Sequence, residues 1–469
     1  MIITSLNKFI SSELSDHQNL QLNLNFNKIG DKATYELSEA LQKCSNIKSL
    51  KLNLKNNNIG EDGIHQIGIG IGQCKQLEDL MIDLRQNQIG HYGLCLLGTE
   101  LGKCTNLKKL ILFLHENQII GKYVSEFSKG LSNCINLSSL KLEISKGNIN
   151  DDFVSSLSEL HNCKNLKNLT LYLSNNKIEG SGLLDIKDFV NLQYLVLDLK
   201  QNKIEEEESS GIGLALENLT NLIFLNIDLR VNRIKQLGAY FIGKGLAQCQ
   251  NLYNLELNLF KNKIGDEGTI DLGQGIAQCL SLNSVIINLS ENDVSDRGAS
   301  CLFSSIGYCQ KLENLILDLN RNTIRNENES NLGIGVGKCQ NLISLTLYLK
   351  FNQIKEEGFF ELCNGIGKCQ KIENLEINLG DNHIGAQNNN QLQLDLNSCI
   401  NLKQLTISIK QNRVGNLLAQ NIVNGVSRCQ NLNFATIFFK LNGIKRQFIK
   451  QIIQNIYKTK RIVAFNIKI

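Results

Sequence analysis

The sequence has no proline and no tryptophan among its 469 residues. Proline often marks linkers and hinges, so its absence favours one unbroken array. No segment approaches the roughly 18 consecutive apolar residues of a membrane helix, and we expect no membrane partner. The formal net charge of +4 is small and dispersed along the chain, which argues against a nucleic-acid partner.

The first residues, MIITSLNKFISSEL, have one lysine, an interrupted apolar pattern and no small-residue cleavage site. We therefore expect no signal peptide and a cytoplasmic protein, with the cytoskeleton or a cilium as more specific locations. The hydrophobic content of 42% and the charged content of 20% are those of an ordinary globular chain.

One pattern of thirty residues is repeated along the chain, and Cys249–Gln278 shows it clearly. Leu255, Leu257 and Leu259 alternate with polar residues, as in a strand with one buried face. Asn262 follows, and after it comes an apolar spacing typical of a helix. Self-similarity at this period predicts a solenoid.

An asparagine after each strand fixes the frame of the repeats. Twelve of the fourteen steps between these positions are thirty residues long, and two adjacent steps are 29 and 26. We predict that each amide turns inward and bonds to backbone groups of its own loop and of the next repeat. The fifteen positions, with glycine at one of them, are Asn27, Asn57, Asn87, Asn117, Gly147, Asn176, Asn202, Asn232, Asn262, Asn292, Asn322, Asn352, Asn382, Asn412 and Asn442.

Cysteines occupy a second column, just before each strand. Phe189 and Leu219 replace cysteine in two repeats, so the column is an apolar packing position. Neighbouring helices about 8–10 Å apart are too distant for disulfides, and no cysteine or histidine spacing fits a metal site. Many reduced thiols also favour the cytosol. The column is Cys44, Cys74, Cys104, Cys134, Cys163, Cys249, Cys279, Cys309, Cys339, Cys369, Cys399 and Cys429.

Two glycine-rich runs, Ile67–Cys74 and Leu332–Cys339, imitate nucleotide-binding loops. They lack the Lys-Ser/Thr of a phosphate loop and do not follow a strand, so we predict that they let neighbouring helices approach. The six histidines form no ligand pair, and no set of nucleophile, base and orienting residue is present. We therefore predict no catalytic residue, no cofactor and no metal.

The LxxLxLxLxxNxI strand followed by a helix resembles the ribonuclease-inhibitor-like class of leucine-rich repeats, which includes the Ran GTPase-activating proteins. The extra Leu-x and the cysteine column are similar to thirty-residue repeats of ciliate proteins. The resemblance implies an α/β fold: a right-handed solenoid, or horseshoe, with a parallel concave sheet of about 16 strands and helices on the convex side. It implies a fold and no particular function.

We predict a single leucine-rich-repeat domain over residues 1–469. It has an N-terminal half repeat without a strand (1–18), the repeats (19–442), and a C-terminal helix and final strand (443–469). An uncovered last strand could pair end to end with another chain. The alternative is that Phe448, Ile452 and Ile453 of the preceding helix cover it.

Residues on the concave face are the candidates for partner binding. The fourth and second residues before the asparagine pair acid with base, as in Asp83 with Arg85, which favours a self-neutralised surface. Around the short repeats, aromatic residues on neighbouring strands adjoin a rim of cations, and Tyr with Arg is typical of interfaces. The acidic run Glu205–Glu208 lies in the next loop and could neutralise the rim. The predicted protein-binding residues are Tyr172, Lys177, Tyr194, Lys203, Phe224, Arg230, Arg233, Phe260 and Lys263.

These observations predict a non-enzymatic scaffold that binds another protein through its concave face or its ends. One alternative is a structural subunit of a large cytoskeletal or ciliary assembly. The other is a GTPase activator of the Ran type. Such activators carry an acidic tail, whereas this chain ends with a basic segment, KRQFIKQIIQNIYKTKRIVAFNIKI. No loop Asn or Arg stands out as a catalytic residue.

Overall fold

A computed structural model describes residues 2–325, 332–385, 396, 399–445, 447–448, 450 and 464–468. The chain forms two compact units, Met1–Asn232 and Arg233–Ile469. The assignment of one domain to residues 1–469 stays a prediction. Most of the predicted C-terminal helix, including Ile452 and Ile453, lies outside the described residues.

The first unit alternates strands with helices. Its described part has nine strands in parallel pairs: β1 (Ile2–Ile3), β2 (Asn19–Asn23), β3 (Ser49–Asn53), β4 (Asp79–Asp83), β5 (Lys109–Phe113), β6 (Ser139–Glu143), β7 (Asn168–Tyr172), β8 (Tyr194–Asp198) and β9 (Phe224–Asp228). Its helices are α1 (Leu6–Ile10), α2 (Gly30–Gln42), α3 (Glu61–Gly72), α4 (His91–Leu101), α5 (Ser125–Leu131), α6 (Asp151–Ser156) and α7 (Ser210–Asn218). It also has 3₁₀ helices at Leu14–Asp16, Gly121–Tyr123, Leu157–Asn162 and Ser181–Asp188.

The second unit follows the same plan. Its described strands, also in parallel pairs, are β10 (Asn254–Asn258), β11 (Ser284–Asn288), β12 (Asn314–Asp318), β13 (Ser344–Tyr348), β14 (Asn374–Asn378), β15 (Gln404–Ser408), β16 (Phe434–Phe438) and β17 (Ala464–Lys468). Its helices are α8 (Lys235–Leu246), α9 (Gly265–Ala277), α10 (Asp296–Ile306), α11 (Leu332–Val336), α12 (Glu356–Ile366) and α13 (Gly415–Ser427). The predicted α/β repeat architecture is confirmed in both units.

Equivalent residues of consecutive repeats lie side by side in the sheet. Leu50 pairs with Leu80 and Leu52 with Ile82, and all four side chains are buried. The alternate residues lie on the opposite side of the strand, where they are exposed, like Lys51, or half-buried, like Met81. Stacking of the buried side chains supplies stability that no single repeat has alone. We call the side with the exposed residues the open face.

The first repeat differs from its prediction. We expected residues 1–18 to lack a strand, but Ile2 and Ile3 form a short one that pairs with Gln21 and Leu22. Ile3 is buried and Ile2 is exposed, which continues the alternation of the other strands. Two residues were too few to show the period-2 pattern in the sequence.

The asparagines form a ladder between repeats. Asn57 Nδ2 donates to the Leu24 carbonyl at 2.8 Å, and its Oδ1 accepts from the N–H groups of Asn27 and Ile29 at 2.9 and 3.2 Å. The prediction of an inward amide bonded to backbone is confirmed. The prediction that the amide bonds to the next repeat is wrong. The amide reaches back to the preceding repeat, where the chain leaves the sheet and its backbone groups have no strand partner.

The cysteine column is a packing position, as predicted. All twelve side chains are buried and all fifteen cysteines are free thiols. Most of these thiols can donate to a carbonyl of the previous repeat, as Cys104 Sγ does to the Ile71 oxygen at 3.3 Å, whereas the Cys44 thiol donates to the Ala40 carbonyl of its own repeat. Burial raises the pKa of Cys104 to about 11 and that of Cys134 to about 12.

The glycine-rich runs lie in helices that approach closely. Gly70 lies in α3, and a Cβ there would come within 2.9 Å of the Ser38 Cα in α2. Gly335 in α11 meets the backbone of Phe303 in the same way. The prediction that these glycines serve helix packing is confirmed.

Acidic residues at the helix N-termini form another contact between repeats, which the sequence did not reveal to us. Asp31 Oδ1 accepts from the Gly60 N–H at 2.7 Å, at the start of the next helix. Asp266 accepts in the same way from Ser295 and Gly298 at 2.7 and 3.1 Å. These carboxylates satisfy N–H groups that a helix leaves open at its first turn.

Candidate functional site

Four columns of side chains form the open face in each unit. They are the eighth, sixth, fourth and second residues before the repeat asparagine. In β8, Leu195 and Leu197 are buried, whereas Tyr194, Val196 and Asp198 lie on the open face. Because each strand keeps this alternation, one repeat contributes four side chains to any partner on this face.

The predicted acid–base pairs are present on the open face of the first unit. Arg85 Nη2 lies 2.6 Å from Asp83 Oδ2, and Arg230 makes the same 2.6 Å contact with Asp228. The hydrogen bond to each aspartate raises the pKa of the arginine, while burial raises the pKa of Asp198. Arg230 is thus held by its own strand, as a self-neutralised surface requires.

Two of the predicted aromatic residues form a pair. Tyr194 and Phe224 lie opposite each other in the register of β8 and β9, with ring centroids 6.2 Å apart and ring planes at 27°. Tyr194 is 45% exposed although it belongs to a strand. Tyr172 is separate from this pair, because it lies opposite Asp198, four residues further along β8.

The predicted lysines of the rim follow the ladder asparagines. Lys177 donates its backbone N–H to the Ile149 carbonyl at 2.8 Å, and Lys203 donates to Ile178 at 2.9 Å. Both side chains are exposed. The backbone thus holds the two lysines in equivalent places of consecutive loops, and Glu205 and Glu207 in the loop after Lys203 are exposed as well.

The remaining predicted residues belong to the second unit. Arg233 and Lys263 are exposed, and Phe260 is half-buried on the open face beside β10. The Phe260 N–H donates to Asn258 Oδ1 at 3.2 Å, and Lys263 has φ of +57°. The unit boundary after Asn232 therefore separates these three residues from the other six.

A row of alternating cations and rings was missed in the sequence. The Arg85 guanidinium lies 5.3 Å from the Phe113 ring centroid, and Lys141 Nζ lies 5.4 Å from the same ring. Lys141 Nζ also lies 4.6 Å from the Tyr172 centroid. These distances fit cation–π attraction. Lys141 belongs to the sixth-position column, and comparing that column with the aromatic one could have revealed the row.

Similar contacts occur in the second unit, both in its loops and on its open face. Lys350 Nζ lies 4.7 Å from the Phe351 centroid, where Arg321 approaches at 4.4 Å. Lys410 Nζ and Lys468 Nζ lie 4.5 and 5.0 Å from the Phe438 centroid. Cations over rings therefore recur in both units.

The described residues contain no metal-ligand cluster, and the buried thiols of the cysteine column are protonated. Among the described residues, no three or more His, Cys, Asp or Glu side chains come together as metal ligands. Burial raises the pKa of Cys74 and of Cys249 to about 12, so these thiols hold their protons at neutral pH. The arrangement offers binding groups: exposed rings, ammonium groups and paired ions. No helix in the described ranges is both long enough and apolar enough to cross a bilayer.

Comparison with known proteins identifies the fold. No family model matches the chain, and no curated protein matches it. Among solved structures, a leucine-rich repeat protein of Leptospira interrogans is similar with a TM-score of 0.60 at 18% identity, over 98% of this chain and 99% of that one. An internalin of Listeria monocytogenes is similar with a TM-score of 0.49 at 20% identity, over 78% of this chain and 83% of that one. The Leptospira similarity and the repeat geometry confirm the leucine-rich-repeat fold.

Proposed function

We propose that this chain is a non-enzymatic scaffold that binds another protein through the open face of its sheet. The observation that carries the proposal is the stacked pair of Tyr194 and Phe224. Aromatic side chains exposed on a rigid strand bury much area on binding at little cost in conformational entropy. Arginine and tyrosine are also the residues most enriched among interface hot spots.

The rim supports the same location. Lys177 and Lys203 project from consecutive loops of the unit that carries the aromatic pair. Such exposed charges speed association and select the partner's orientation more than they add affinity. In the second unit, we propose Arg233, Phe260 and Lys263 as further binding residues.

Two finer assignments belong to this proposal. We assign the repeats to the ribonuclease-inhibitor-like class, because α2, α3 and α4 are helices of 13, 12 and 11 residues rather than short turns. The extra Leu-x of the strand and the cysteine column support a similarity to ciliate repeats. We place the protein in the cytoplasm, which the fifteen free thiols support because they persist in a reducing compartment.

The test begins with purification of the tagged protein from its native cell, with chemical cross-linking and mass spectrometry. We expect cross-links from Lys177 or Lys203 to one stable partner. Replacement of Tyr194, Phe224 and Arg233 by alanine should then weaken that partner's binding at least tenfold, or about 1.4 kcal/mol. The Tyr35→Ala and Tyr92→Ala exchanges on helices α2 and α4 serve as matched controls, because both rings are exposed away from the open face.

Other results would favour the two alternatives. Cross-links confined to the ends, such as Lys8, would favour a structural subunit of a cytoskeletal or ciliary assembly. Accelerated GTP turnover by a small GTPase, lost on mutation of one loop Asn or Arg, would favour the Ran-type activator. Unchanged binding by the triple variant would contradict the open-face proposal.

A further inference from the structure

The self-neutralised pattern of the open face fails on part of the first unit. On β4, β8 and β9, each cation has an aspartate two residues before it, at 2.6, 3.4 and 2.6 Å. On β5 and β6 the second position before the asparagine is His115 or Ser145. The cations there occupy other columns, as Lys109 and Lys141.

Four ammonium groups of this surface have no ion pair within the part of the chain that the structure describes: Lys51, Lys55, Lys109 and Lys141. The carboxylates of the same strands without an ion pair there are Asp79 and Glu143. Strands β3 to β6 thus present an excess of unpaired positive charge. Such a surface attracts an acidic partner.

Lys141 is the best-positioned of these cations. Its ammonium lies 4.6 Å from the Tyr172 ring centroid and 5.4 Å from that of Phe113, so two rings hold it in place. Glu143 is two residues away on the same face, yet the two side chains form no ion pair among the described contacts. A preorganised cation loses little conformational entropy when a carboxylate binds it.

Apolar side chains adjoin Lys141. Met81, Ile111 and Lys141 follow one another in the register of β4, β5 and β6, and all three are half-buried. A partner that places a carboxylate on Lys141 can therefore place an apolar side chain on Ile111 and Met81. The surface thus combines the apolar side chains of Met81 and Ile111 with the adjoining ammonium group of Lys141.

We propose that Met81, Ile111, Phe113, Lys141 and Tyr172 form a docking site for an extended protein segment in which acidic and apolar side chains share one face. This inference rests on the proposed function and names the chemistry of the partner. In an extended chain alternate side chains point the same way, so a suitable segment reads acid-x-apolar-x-acid.

A peptide of sequence DSFSESLSD, labelled with fluorescein, tests the proposal on the full-length protein. Its acidic and apolar residues lie on one face and its serines on the other. We expect binding that weakens with salt, while KSFSKSLSK should not bind. Lys141→Met keeps the apolar stem and removes the charge, and it should weaken binding roughly tenfold, equal to about 1.4 kcal/mol.

Lys410→Met is the matched control, because Lys410 also holds its ammonium over a ring on an open face, 4.5 Å from the Phe438 centroid. It should leave peptide binding unchanged. Equal affinity for the two peptides, or equal losses in the two variants, would overturn the proposal. Tighter binding of a ten-residue oligothymidine than of DSFSESLSD, lost in Lys141→Met, would also overturn it, in favour of a nucleic acid.

The outcome can be separated from that of the proposed function. Loss of the native partner's binding in the Tyr194→Ala and Phe224→Ala variant, but not in Lys141→Met, would overturn the acidic docking site and leave the scaffold intact. Thermal unfolding of each variant checks its fold. Lys141→Arg should restore peptide binding, since arginine keeps both the charge and the contact with the rings.

Discussion

The first unit contains a regular region, residues 19–138, and a short region, residues 139–232. Both keep five-residue strands in parallel register. The regular region has α-helices of up to 13 residues, whereas the short region has the 3₁₀ segments Leu157–Asn162 and Ser181–Asp188. The chain therefore absorbs missing residues on the helical side and leaves the open face unchanged.

The packing columns differ in the same way. The regular region fills its cysteine column with thiols, whereas the short region keeps Cys163 and substitutes Phe189 and Leu219 at the next two positions. A 3₁₀ segment rises more per residue than an α-helix, so fewer residues span the same distance between strands. Function on the open face can thus tolerate changes behind the sheet.

The largest expected difference between the regions is in alkaline stability. Burial raises the pKa of Cys74 and Cys134 to about 12, and of Cys104 to about 11, from the ordinary 9.0. Below pH 9 both folded and unfolded chains hold these protons. Above it the unfolded chain releases them first, so stability falls as the pH rises from about 9 towards 12, by roughly 1–2 kcal/mol per thiol at pH 10.

Urea unfolding at pH 8 and pH 10 measures this loss. Replacing Cys74, Cys104 and Cys134 by alanine should remove about 4 kcal/mol of the pH-dependent loss. Cys163→Ala, in the short region, should remove roughly 1–2 kcal/mol. The other ionisable groups are the same in all variants, so the comparison isolates the thiols. If the wild type and the triple variant lose the same stability between pH 8 and pH 10, the three thiols do not cause the alkaline loss.

The next largest effect concerns the asparagine ladder. Asn57 is fully buried and accepts from two backbone N–H groups of the preceding repeat. Asn202 is only half-buried and accepts from one, the Ile178 N–H at 3.2 Å. Asn57→Ala should lower the free energy of unfolding by about 3 kcal/mol and Asn202→Ala by about 1.5 kcal/mol, since buried groups lose their partners. Equal losses in urea unfolding would contradict this ranking.

The sequence predicted the features that each repeat shares. Strand alternation, the asparagine ladder and the cysteine column recur at a fixed spacing, so fourteen copies gave the same information as an alignment. Contacts between side chains of different columns on neighbouring strands were harder to predict. The contact of Lys141 with Phe113 and Tyr172 depends on side-chain directions across three strands, which no repeat period encodes.

The short region also shows a limit of sequence reading. Its missing residues were visible as steps of 29 and 26, but the sequence did not show where they were lost. The 3₁₀ segment Ser181–Asp188 forms because its start is held from outside. Asp151 accepts from the N–H groups of Glu179, Gly180 and Gly182 at 2.7, 2.9 and 2.8 Å. Such a contact depends on the preceding repeat.

Asp151 provides a third comparison. Its carboxylate accepts three backbone N–H groups, whereas that of Asp31 in the regular region accepts one, from Gly60. Asp151→Ala should cost about 2 kcal/mol and Asp31→Ala about 1 kcal/mol. Hydrogen exchange should accelerate in Ser181–Asp188 when Asp151 is replaced. Exchange that is faster throughout the unit would instead indicate a global effect.

The smallest expected effect is a gain. Gly147 interrupts the ladder between the two regions, and the N–H of Ile119, which is 2% exposed, has no acceptor in the part of the chain that the structure describes. In intact repeats the next asparagine accepts from this position, as Asn87 Oδ1 does from the Ile59 N–H at 3.0 Å. Gly147→Asn should therefore stabilise the unit by about 1 kcal/mol.

Gly147→Ala is the control, because alanine removes the flexibility of glycine without supplying a hydrogen-bond acceptor. The difference between the two variants therefore measures the contribution of the asparagine amide. A Cβ at residue 147 meets only Asn176 Oδ1, at 3.2 Å. Alanine or asparagine therefore fits at this position after a small shift of the Asn176 side chain. If the asparagine variant is more stable than the alanine variant, the ladder itself links the regular and short regions. If the two variants are equally stable, the added amide contributes nothing. The asparagine ladders of the regular and short regions are then independent of each other.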